Sequence, residues 1–298
     1  EIAAEHKCDL LFEAAVAGGI PIIRPLKQCL AANNITEIMG IINGTTNFIL
    51  TKMTDENMEF SEALALAQKL GYAEADPTAD VEGLDAGRKI AILASIAFNS
   101  RVTFSDVYTE GISKITAKDI KYAKELDCVI KLIATAKHTS DGVEVRVTPM
   151  FIPKSHPLAS VNDSFNAVFV HGDSLGDAMF YGRGAGELPT ASAIMGDVID
   201  VCRNIAYNCC GRIGCTCYKE LPVKTMEIFC QHNSGGQTRY SCRRCKHIFW
   251  KQCEHRPDGS KDKTPRFSGS CIYYRQCKGT TVYESHQRAF GNALCKGD

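Results

Sequence analysis

The stretch Gly71–Lys89, GYAEADPTADVEGLDAGRK, concentrates ionisable side chains within the 298-residue chain. Its last part opens a segment, residues 83–98, whose apolar spacing is that of a helix, so Asp85 and Lys89 share one helix face. A lysine among carboxylates stays protonated, which suits it to give a proton to a developing alkoxide or to take one from an alcohol. The pattern fits either a solvated acidic loop with one ion pair or a site that holds a small cationic substrate.

The overall composition is that of an ordinary globular chain, with 45% hydrophobic and 23% charged residues. No run approaches about 18 consecutive apolar residues, which excludes a membrane-spanning helix. The formal net charge of zero argues against a uniformly basic protein that binds nucleic acid. These features indicate a soluble globular protein with enough length for a buried core.

The charge and the cysteines are unevenly distributed along the chain. Residues 230–298 hold 13 basic and 5 acidic side chains, whereas residues 1–229 hold 21 and 29, and 7 of the 15 cysteines lie in the last 69 residues. Such asymmetry usually marks two modules with different partners. The lower cysteine density of residues 1–229 favours a reducing cytoplasm, where thiols stay free.

Helices and strands are predicted to interleave, with one antiparallel hairpin, which favours an α+β fold with a mixed sheet. The predicted strands are residues 10–16, 35–42, 129–138, 143–150 and 166–171. The predicted helices are residues 21–32, 61–70, 83–98 and 188–206, the last following the glycine-rich loop 182–186. No element can be placed with the same criteria beyond about residue 229.

Four motifs in order resemble one enzyme family, the homoserine dehydrogenases, and most closely the Gram-positive type. The acidic stretch reproduces the family signature at Ala67, Gly71, Tyr72, Asp76-Pro77, Asp80-Val81, Gly83, Asp85 and Lys89. The other three motifs are residues 12–23 (FEAAVAGGIPII), residues 43–48 (NGTTNF), and Gly184-Ala185-Gly186 with Pro189-Thr190-Ala191. The resemblance covers about residues 1–228.

This resemblance implies the NAD(P)-dependent interconversion of L-homoserine and L-aspartate 4-semialdehyde, at a branch point towards threonine, isoleucine and methionine. It implies that Lys89 is the proton donor and that Glu74 and Asp85 bind the substrate, with Asp80, Tyr72 and Thr45 nearby. Gly71 and Gly186 match positions where the cofactor approaches the backbone closely. The family also implies a homodimer, formed through the sheet of the substrate region, and a cytoplasmic enzyme.

A monovalent cation site is a further implication of the resemblance. Glu13, Val16, Gly18 and Ile20 match the family's sodium ligands. A strand-to-turn segment can aim several carbonyl oxygens at one point, and sodium prefers such hard ligands. The alternative is that Gly18-Gly19 is only a tight turn.

The family resemblance also implies a division of the chain. Residues 1–20 would end a nucleotide-binding domain of Rossmann type, 21–186 would form the substrate and dimerisation domain, 187–229 a return helix and linker, and 230–298 an aberrant tail. The family needs a strand–GxGxxG–helix fingerprint before the substrate region, and these residues contain none. We therefore expect that the sequence is truncated and that this chain does not bind NADPH tightly by itself. The residues that discriminate NAD from NADP would lie in the missing part.

The tail, residues 230–298, allows three interpretations. Cys242-x2-Cys245 with His247, Cys253 and His255 has spacing that could hold zinc, and its basic residues beside Phe249 and Trp250 could bind nucleic acid, as in a non-enzymatic binding protein. Relatives of this type usually continue into an ACT domain, whose opening is missing here. Residues 234–259 can be back-translated into codons that read AEDKPGILAAVASIFGNNVSIAQMV, an ACT-domain opening, when the reading frame is shifted by one nucleotide. The favoured hypothesis is therefore a frameshifted, disordered tail without nucleic-acid function. The genomic DNA would test it.

Overall fold

The computed structural model describes residues 2–6, 8–207 and four short strands further along. The described residues form seven α-helices: α1 (Ile2–Glu5), α2 (Gly44–Asp55), α3 (Phe60–Lys69), α4 (Thr78–Val81), α5 (Leu84–Ala97), α6 (Ala117–Glu125) and α7 (Glu187–Ala206). The strands before the tail are β1 (Ile35–Ile41), β2 (Tyr108–Thr109), β3 (Cys128–Thr139), β4 (Gly142–Pro153), β5 (Phe165–Gly172) and β6 (Gly176–Arg183). The tail strands are β7 (Phe229–Ser234), β8 (Gly236–Ser241), β9 (Tyr273–Cys277) and β10 (Thr280–Glu284).

The predicted α+β fold with a mixed sheet is confirmed. Six strands form one sheet in the order β2-β4-β3-β1-β5-β6, antiparallel except for the parallel pair of β2 and β4. The predicted hairpin joins β3 to β4, with Thr139 opposite Gly142 across the turn. Strand β6, which pairs with β5, covers residues that the sequence analysis assigned partly to a loop.

The alternation of side chains along the strands divides the core into two parts. On one face, Ile130, Leu132 and Ala134 of β3 belong to the large cluster that also includes the buried residues of α2 and α5. On the other face, Ile133 packs with Leu158 of a short 3₁₀ segment, Pro157–Ser160. Helices therefore cover one face, and α2 and α5 rest on the middle strands with their first turns near the end of β1.

The prediction of a strand at residues 10–16 is wrong. Glu13–Ala15 is a single 3₁₀ turn, and the buried Glu13 carboxylate accepts the backbone N–H groups of Ile22, Ile23 and Arg24 at 2.5, 2.8 and 2.7 Å. These donors lie at the start of the next helical segment, where N–H groups have no intrahelical partner. A long-range polar contact, which periodicity does not reveal, therefore decides the local conformation. The helix predicted for residues 21–32 is also shorter, with a π-helical turn at Pro25–Cys29.

The tail contains two strand pairs, β7 with β8 and β9 with β10, where the sequence analysis predicts no elements. The candidate zinc ligands Cys242, Cys245, His247, Cys253 and His255 lie outside the described residues. The sequence analysis also predicts a disordered tail. Apart from the four strands, the residues of the tail lie outside the described residues.

Lys131 is a buried lysine that connects β3 to α2 and to the loop before β5. Its ammonium group donates hydrogen bonds to Asn47 Oδ1 (3.0 Å), Val161 O (2.5 Å) and Asn162 Oδ1 (3.2 Å). Asn47 in turn donates from Nδ2 to Val161 O at 3.1 Å and to Asp163 O at 2.9 Å. The network fixes α2, which begins at the candidate site, to the sheet. Burial lowers the pKa of Lys131 to about 8.

Replacing Lys131 with Met is expected to lower the free energy of unfolding by about 2–4 kcal/mol at pH 7, because the buried acceptors Asn47 Oδ1 and Val161 O lose a charged donor. Between pH 8 and 10 the unfolded state binds the proton that the folded state has released, so the wild type gains stability relative to the variant as pH rises. Urea unfolding across this range measures both effects. Lys154→Met, at an exposed lysine paired with Asp127 at 2.9 Å, is the control and should change stability by less than about 0.5 kcal/mol.

Candidate active site

The site is built around the first turn of α2, where β1 ends. Asn43 is the N-cap residue, and its Oδ1 accepts a hydrogen bond from the Thr46 backbone N–H at 2.9 Å. Its Nδ2 donates to Asp80 Oδ1 at 2.7 Å and to Asp85 Oδ2 at 2.9 Å. The N-cap of α2 thus gathers two carboxylates of the acidic stretch that are five residues apart in sequence.

Asp85 and Lys89 face each other on the first turns of α5, as their spacing predicted. Lys89 Nζ lies 2.7 Å from Asp85 Oδ2 and also donates to the Ile42 carbonyl oxygen at 3.2 Å. Their side chains are 23% and 30% exposed, so the pair is partly desolvated but still reachable. Gly83 is the N-cap residue before α5, and its φ of +76° allows the chain to change direction into the helix. The geometry provides an ammonium proton donor at an accessible surface.

The loop at residues 71–76 lies beside the N-terminus of α2. Thr45 Oγ1 donates to the Tyr72 carbonyl oxygen at 2.7 Å, and the Phe48 and Tyr72 rings are 4.8 Å apart between centroids. The Tyr72 side chain is nevertheless exposed. The structure therefore brings Thr45 and Tyr72 together beside the N-terminus of α2, and their role near a substrate stays a prediction.

Glu74 is exposed and stands apart from the ion pair. Among the described residues its carboxylate has no hydrogen-bond partner, whereas its backbone carbonyl accepts from Gln68 Nε2 at 3.1 Å. The nearby Asp76 carboxylate accepts hydrogen bonds from the Thr78 hydroxyl at 2.5 Å and from the Thr78 backbone N–H at 3.1 Å. These two bonds lower the pKa of Asp76. Asp76 therefore shapes the loop, and Glu74 keeps a carboxylate available to a cation.

The two glycines predicted near a cofactor both have a positive φ. Gly71 follows α3 with φ +78°, and a Cβ atom there would meet no atom within 4 Å. Gly186 precedes α7 with φ +112°, and a Cβ atom there would lie 3.5 Å from Pro189. Both glycines are exposed. Because glycine has no side chain, a ligand can approach the backbone closely at these positions. This geometry fits a dinucleotide that passes close to the main chain.

The turn at residues 16–20 buries backbone carbonyl groups. Val16 and Ile20 are 0% and 2% exposed, and Gly18 adopts φ +53°. No hydrogen bond from a described residue reaches the carbonyl oxygens of Val16, Gly18 or Ile20. Buried carbonyl groups normally find a partner, so these oxygens fit the predicted cation site. The Glu13 carboxylate is already bonded to three N–H groups, which leaves its carbonyl oxygen as the simpler ligand.

Sequence reasoning quoted Asn43 within a motif but gave it no role. The available signal was its position, directly before a helix and after a buried strand, which is where an N-cap amide is expected. The signal could not show that the other half of the amide reaches Asp80 and Asp85, because that contact joins residues about 40 positions apart. Sequence reasoning also did not single out Asn166, whose buried Oδ1 has no hydrogen-bond partner among the described residues and whose amide lies against Gly184.

Comparison with known proteins identifies one family. The protein-family model described as homoserine dehydrogenase matches residues 21–199. Homoserine dehydrogenases of Bacillus subtilis and Synechocystis are 52% and 57% identical over 203 and 205 residues, and the one from Corynebacterium glutamicum is 54% identical over 229 residues. These alignments cover 68%, 67% and 75% of this chain, and 47%, 47% and 51% of the relatives. The chain thus spans about half the length of the curated relatives that it matches.

Solved structures give the same result. A homoserine dehydrogenase from Thiobacillus denitrificans has a TM-score of 0.70 and 46% identity, covering 74% of this chain and 52% of that one. A hyperthermophilic archaeal homoserine dehydrogenase mutant in complex with NADPH has a TM-score of 0.59 and 29% identity, covering 68% of this chain and 58% of that one. The family model, the curated relatives and the solved structures agree with one another. The chain therefore belongs to the homoserine dehydrogenase family.

Proposed function

We propose that this chain carries the substrate-binding and proton-transfer half of a homoserine dehydrogenase that interconverts L-homoserine and L-aspartate 4-semialdehyde. The observation that carries the proposal is the 2.7 Å pair of Lys89 with Asp85, held beside Asp80 by the N-cap of α2. A bound NAD or NADP supplies or accepts the hydride. The residues of this chain then have to bind an amino acid, orient its aldehyde or alcohol, and move one proton.

Lys89 is proposed to give that proton. When the aldehyde carbon gains a hydride, its oxygen becomes an alkoxide, and a proton from Lys89 Nζ converts it into the homoserine hydroxyl. The lysine then regains a proton from solvent, to which its side chain is 23% exposed. In the opposite direction the neutral amine takes the proton of the alcohol. Asp85 orients the ammonium group throughout, because its carboxylate is within hydrogen-bonding distance in the resting state.

Substrate recognition follows from charge. L-homoserine carries an ammonium group, and the exposed Glu74 carboxylate is a partner for it that no described residue occupies. Asp80 and Asp85 are proposed to approach the hydroxyl end, and Thr45 and Tyr72 to form the adjoining wall. Gly71 and Gly186 would lie against the cofactor, since their open positive-φ backbone leaves room for it.

The proposal is tested by following NAD(P)H formation from L-homoserine with each cofactor. The measurement is made on the chain itself and on a fusion in which the part of the Bacillus subtilis relative that precedes the matched region is placed before residue 1. Isothermal titration of the chain with L-homoserine provides a readout that needs no cofactor. Absence of both turnover in the fusion and L-homoserine binding in the chain would refute the proposal.

A sodium ion is proposed to bind among the carbonyl oxygens of Glu13, Val16, Gly18 and Ile20. The support is the buried segment at Val16, Gly18 and Ile20, whose carbonyl oxygens accept no hydrogen bond from a described residue; within the described residues no cluster of His, Cys, Asp or Glu offers an alternative metal site. A ligand that binds only the folded state raises its stability. We expect the unfolding midpoint to be a few degrees higher in sodium chloride than in choline chloride at equal ionic strength, and equal midpoints would contradict the site.

The domain division at residues 20, 186 and 229 remains part of the proposal. Helix α7 exposes Leu188, Ile194, Met195, Val198 and Ile199, and the nearby Leu10 is also exposed. Several exposed apolar side chains on one helix commonly mark a surface that packs against another domain. In this family the nucleotide-binding domain is the natural occupant, which supports assigning residues 1–20 and α7 to the junction with it.

Homodimerisation through the sheet and a cytoplasmic location are also proposed. Partly exposed aromatic residues on β5 and β6, with the Phe165 and Tyr181 rings stacked 5.2 Å apart, support a sheet-mediated contact. Cys8, Cys29, Cys128 and Cys202 form no disulfide, which agrees with a reducing compartment. No helix among the described residues is long and apolar enough to cross a membrane. Sedimentation equilibrium tests the dimer, and a single-chain mass at assay concentration would contradict it.

The alternative, a non-enzymatic binding protein with a zinc-binding or nucleic-acid-binding tail, is not favoured by family membership. Its motif lies outside the described residues, so the zinc content of the purified chain is the direct measurement. One zinc per chain would support a module at residues 242–255. The genomic DNA tests the frameshift hypothesis independently, since the shifted frame either encodes the ACT-domain opening or does not.

A further inference from the structure

We infer that Asn43 is a positioning residue for the proton transfer proposed above: its amide nitrogen sets the orientation of the Asp85 carboxylate that faces Lys89 and keeps Asp80 beside it. This inference rests on the proposed function, because it concerns the same acid and its carboxylate partner. An ordinary N-cap residue only stabilises its helix, whereas the inferred role of Asn43 also includes orienting a carboxylate of the site.

The amide of Asn43 can adopt only one orientation. Its Oδ1 accepts hydrogen bonds from the Thr46 backbone N–H and the Thr46 hydroxyl, each at 2.9 Å. A flipped amide would place NH2 hydrogens against the backbone N–H donor of the helix and would lose that bond. The NH2 group is therefore directed away from α2, towards the acidic stretch, in a residue that is 6% exposed.

Both hydrogens of this NH2 group are used by carboxylates. Nδ2 lies 2.7 Å from Asp80 Oδ1 and 2.9 Å from Asp85 Oδ2. Two carboxylates close to one another repel, and a neutral double donor between them offsets this without adding charge to the site. Asp85 Oδ2 accepts from Lys89 Nζ as well, so one oxygen atom is fixed by the amide and by the ammonium group.

The junction of β1 and α2 thus contacts both members of the ion pair. The Ile42 carbonyl oxygen accepts from Lys89 Nζ at 3.2 Å, and the next residue, Asn43, holds Asp85. The position of this junction is itself determined by β1 in the middle of the sheet and by the Asn47–Lys131 contact at 3.0 Å. The proton donor is consequently aligned by two successive residues of a rigid part of the fold, which is the arrangement that efficient proton transfer requires.

Two substitutions separate positioning from capping. Asn43→Ser keeps a side-chain oxygen that can cap α2 and removes both donors, and Asn43→Asp keeps the shape and the cap but places a third carboxylate against Asp80 and Asp85. We expect kcat to fall about 100-fold in each, while the KM for the cofactor changes less than about 3-fold. Thr116→Ala, which removes the N-cap of α6, is the control for lost capping and should retain wild-type kcat.

The crystal structure of Asn43→Ser supplies a readout that does not depend on turnover. We expect the Asp80 and Asp85 side chains to change rotamer and Lys89 to leave its position 2.7 Å from Asp85. Wild-type kcat in Asn43→Ser, or unchanged side chains in its structure, would overturn the inference. If the wild-type fusion shows no turnover and the chain does not bind L-homoserine, the proposed function fails instead, and the structure of the variant still decides whether Asn43 holds the two carboxylates.

Discussion

Replacing Lys89 with Met is expected to lower kcat for L-homoserine oxidation by about 10²–10⁴-fold, the usual contribution of a positioned general acid or base. Methionine keeps most of the length and apolar volume of the lysine stem but has no proton to exchange. L-homoserine affinity should change only a few-fold, because Glu74 and Asp80 remain. The effect should therefore appear in kcat, measured in the fusion described above, and much less in the binding constant measured by titration of the chain.

The control for Lys89→Met is Lys52→Met. Lys52 also forms an i,i+4 ion pair on a helix, with Glu56 at 2.8 Å, and its side chain is likewise 23% exposed. Loss of a partly exposed helical ion pair costs only about 0.3–0.5 kcal/mol of stability. Lys52→Met should therefore leave kcat unchanged, and a Lys89→Met variant that retains more than about a tenth of wild-type kcat would refute the role of Lys89 as proton donor.

Gly18→Ala is expected to have the largest effect on stability, a loss of about 2–5 kcal/mol. An alanine there would have to adopt the left-handed conformation of Gly18, φ +53°, which costs about 1–2 kcal/mol. Its Cβ atom would also overlap the Gly184 carbonyl oxygen, which is backbone and cannot turn aside. Such overpacking costs about 1–3 kcal/mol more. Urea unfolding, followed by circular dichroism, measures the loss.

Gly176→Ala is the matched control for the conformational part of that loss. Gly176 has a similar positive φ, +72°, at the turn between β5 and β6, and a Cβ atom there would meet no atom within 4 Å. It should lose only about 1–2 kcal/mol. Equal losses in the two variants would show that the contact of residues 16–20 with Gly184 contributes little, and would also weaken the case for a rigid cation site in that turn.

Local patterns were sufficient for some elements of the fold, whereas helices α2, α4 and α6 and strands β2 and β6 were not predicted. The turn Thr139–Gly142 predicted the β3–β4 hairpin, and the apolar period of residues 83–98 predicted α5, because strand alternation and helix periodicity are properties of adjacent residues. The strand wrongly predicted at residues 10–16 has an apolar run as well. The strand prediction failed because the Glu13 carboxylate accepts hydrogen bonds from N–H groups of residues 22–24. The apolar run itself does not encode this contact.

For the candidate site, the sequence was informative where two side chains share one element. Asp85 and Lys89 are four residues apart on one helix, so their contact followed from helix geometry. The partners that connect different elements did not follow: Asn43 with Asp80, and Lys131 with Asn47. Buried amides and amines are satisfied by whichever acceptors the packed chain brings within about 3 Å, and these are determined only after the elements have assembled.

The sequence by itself determined the α+β class, the helix that carries Lys89, and the residue types available for proton transfer and for binding an amino acid. These depend on periodicity and on motifs within short segments. Only the tertiary structure decided how Asn43 joins Asp80 to Asp85, how Glu13 closes the turn at residues 13–24, and which carbonyl oxygens remain without hydrogen bonds. The physical reason is that a hydrogen bond acts over about 3 Å in space, whatever the separation of its partners along the chain.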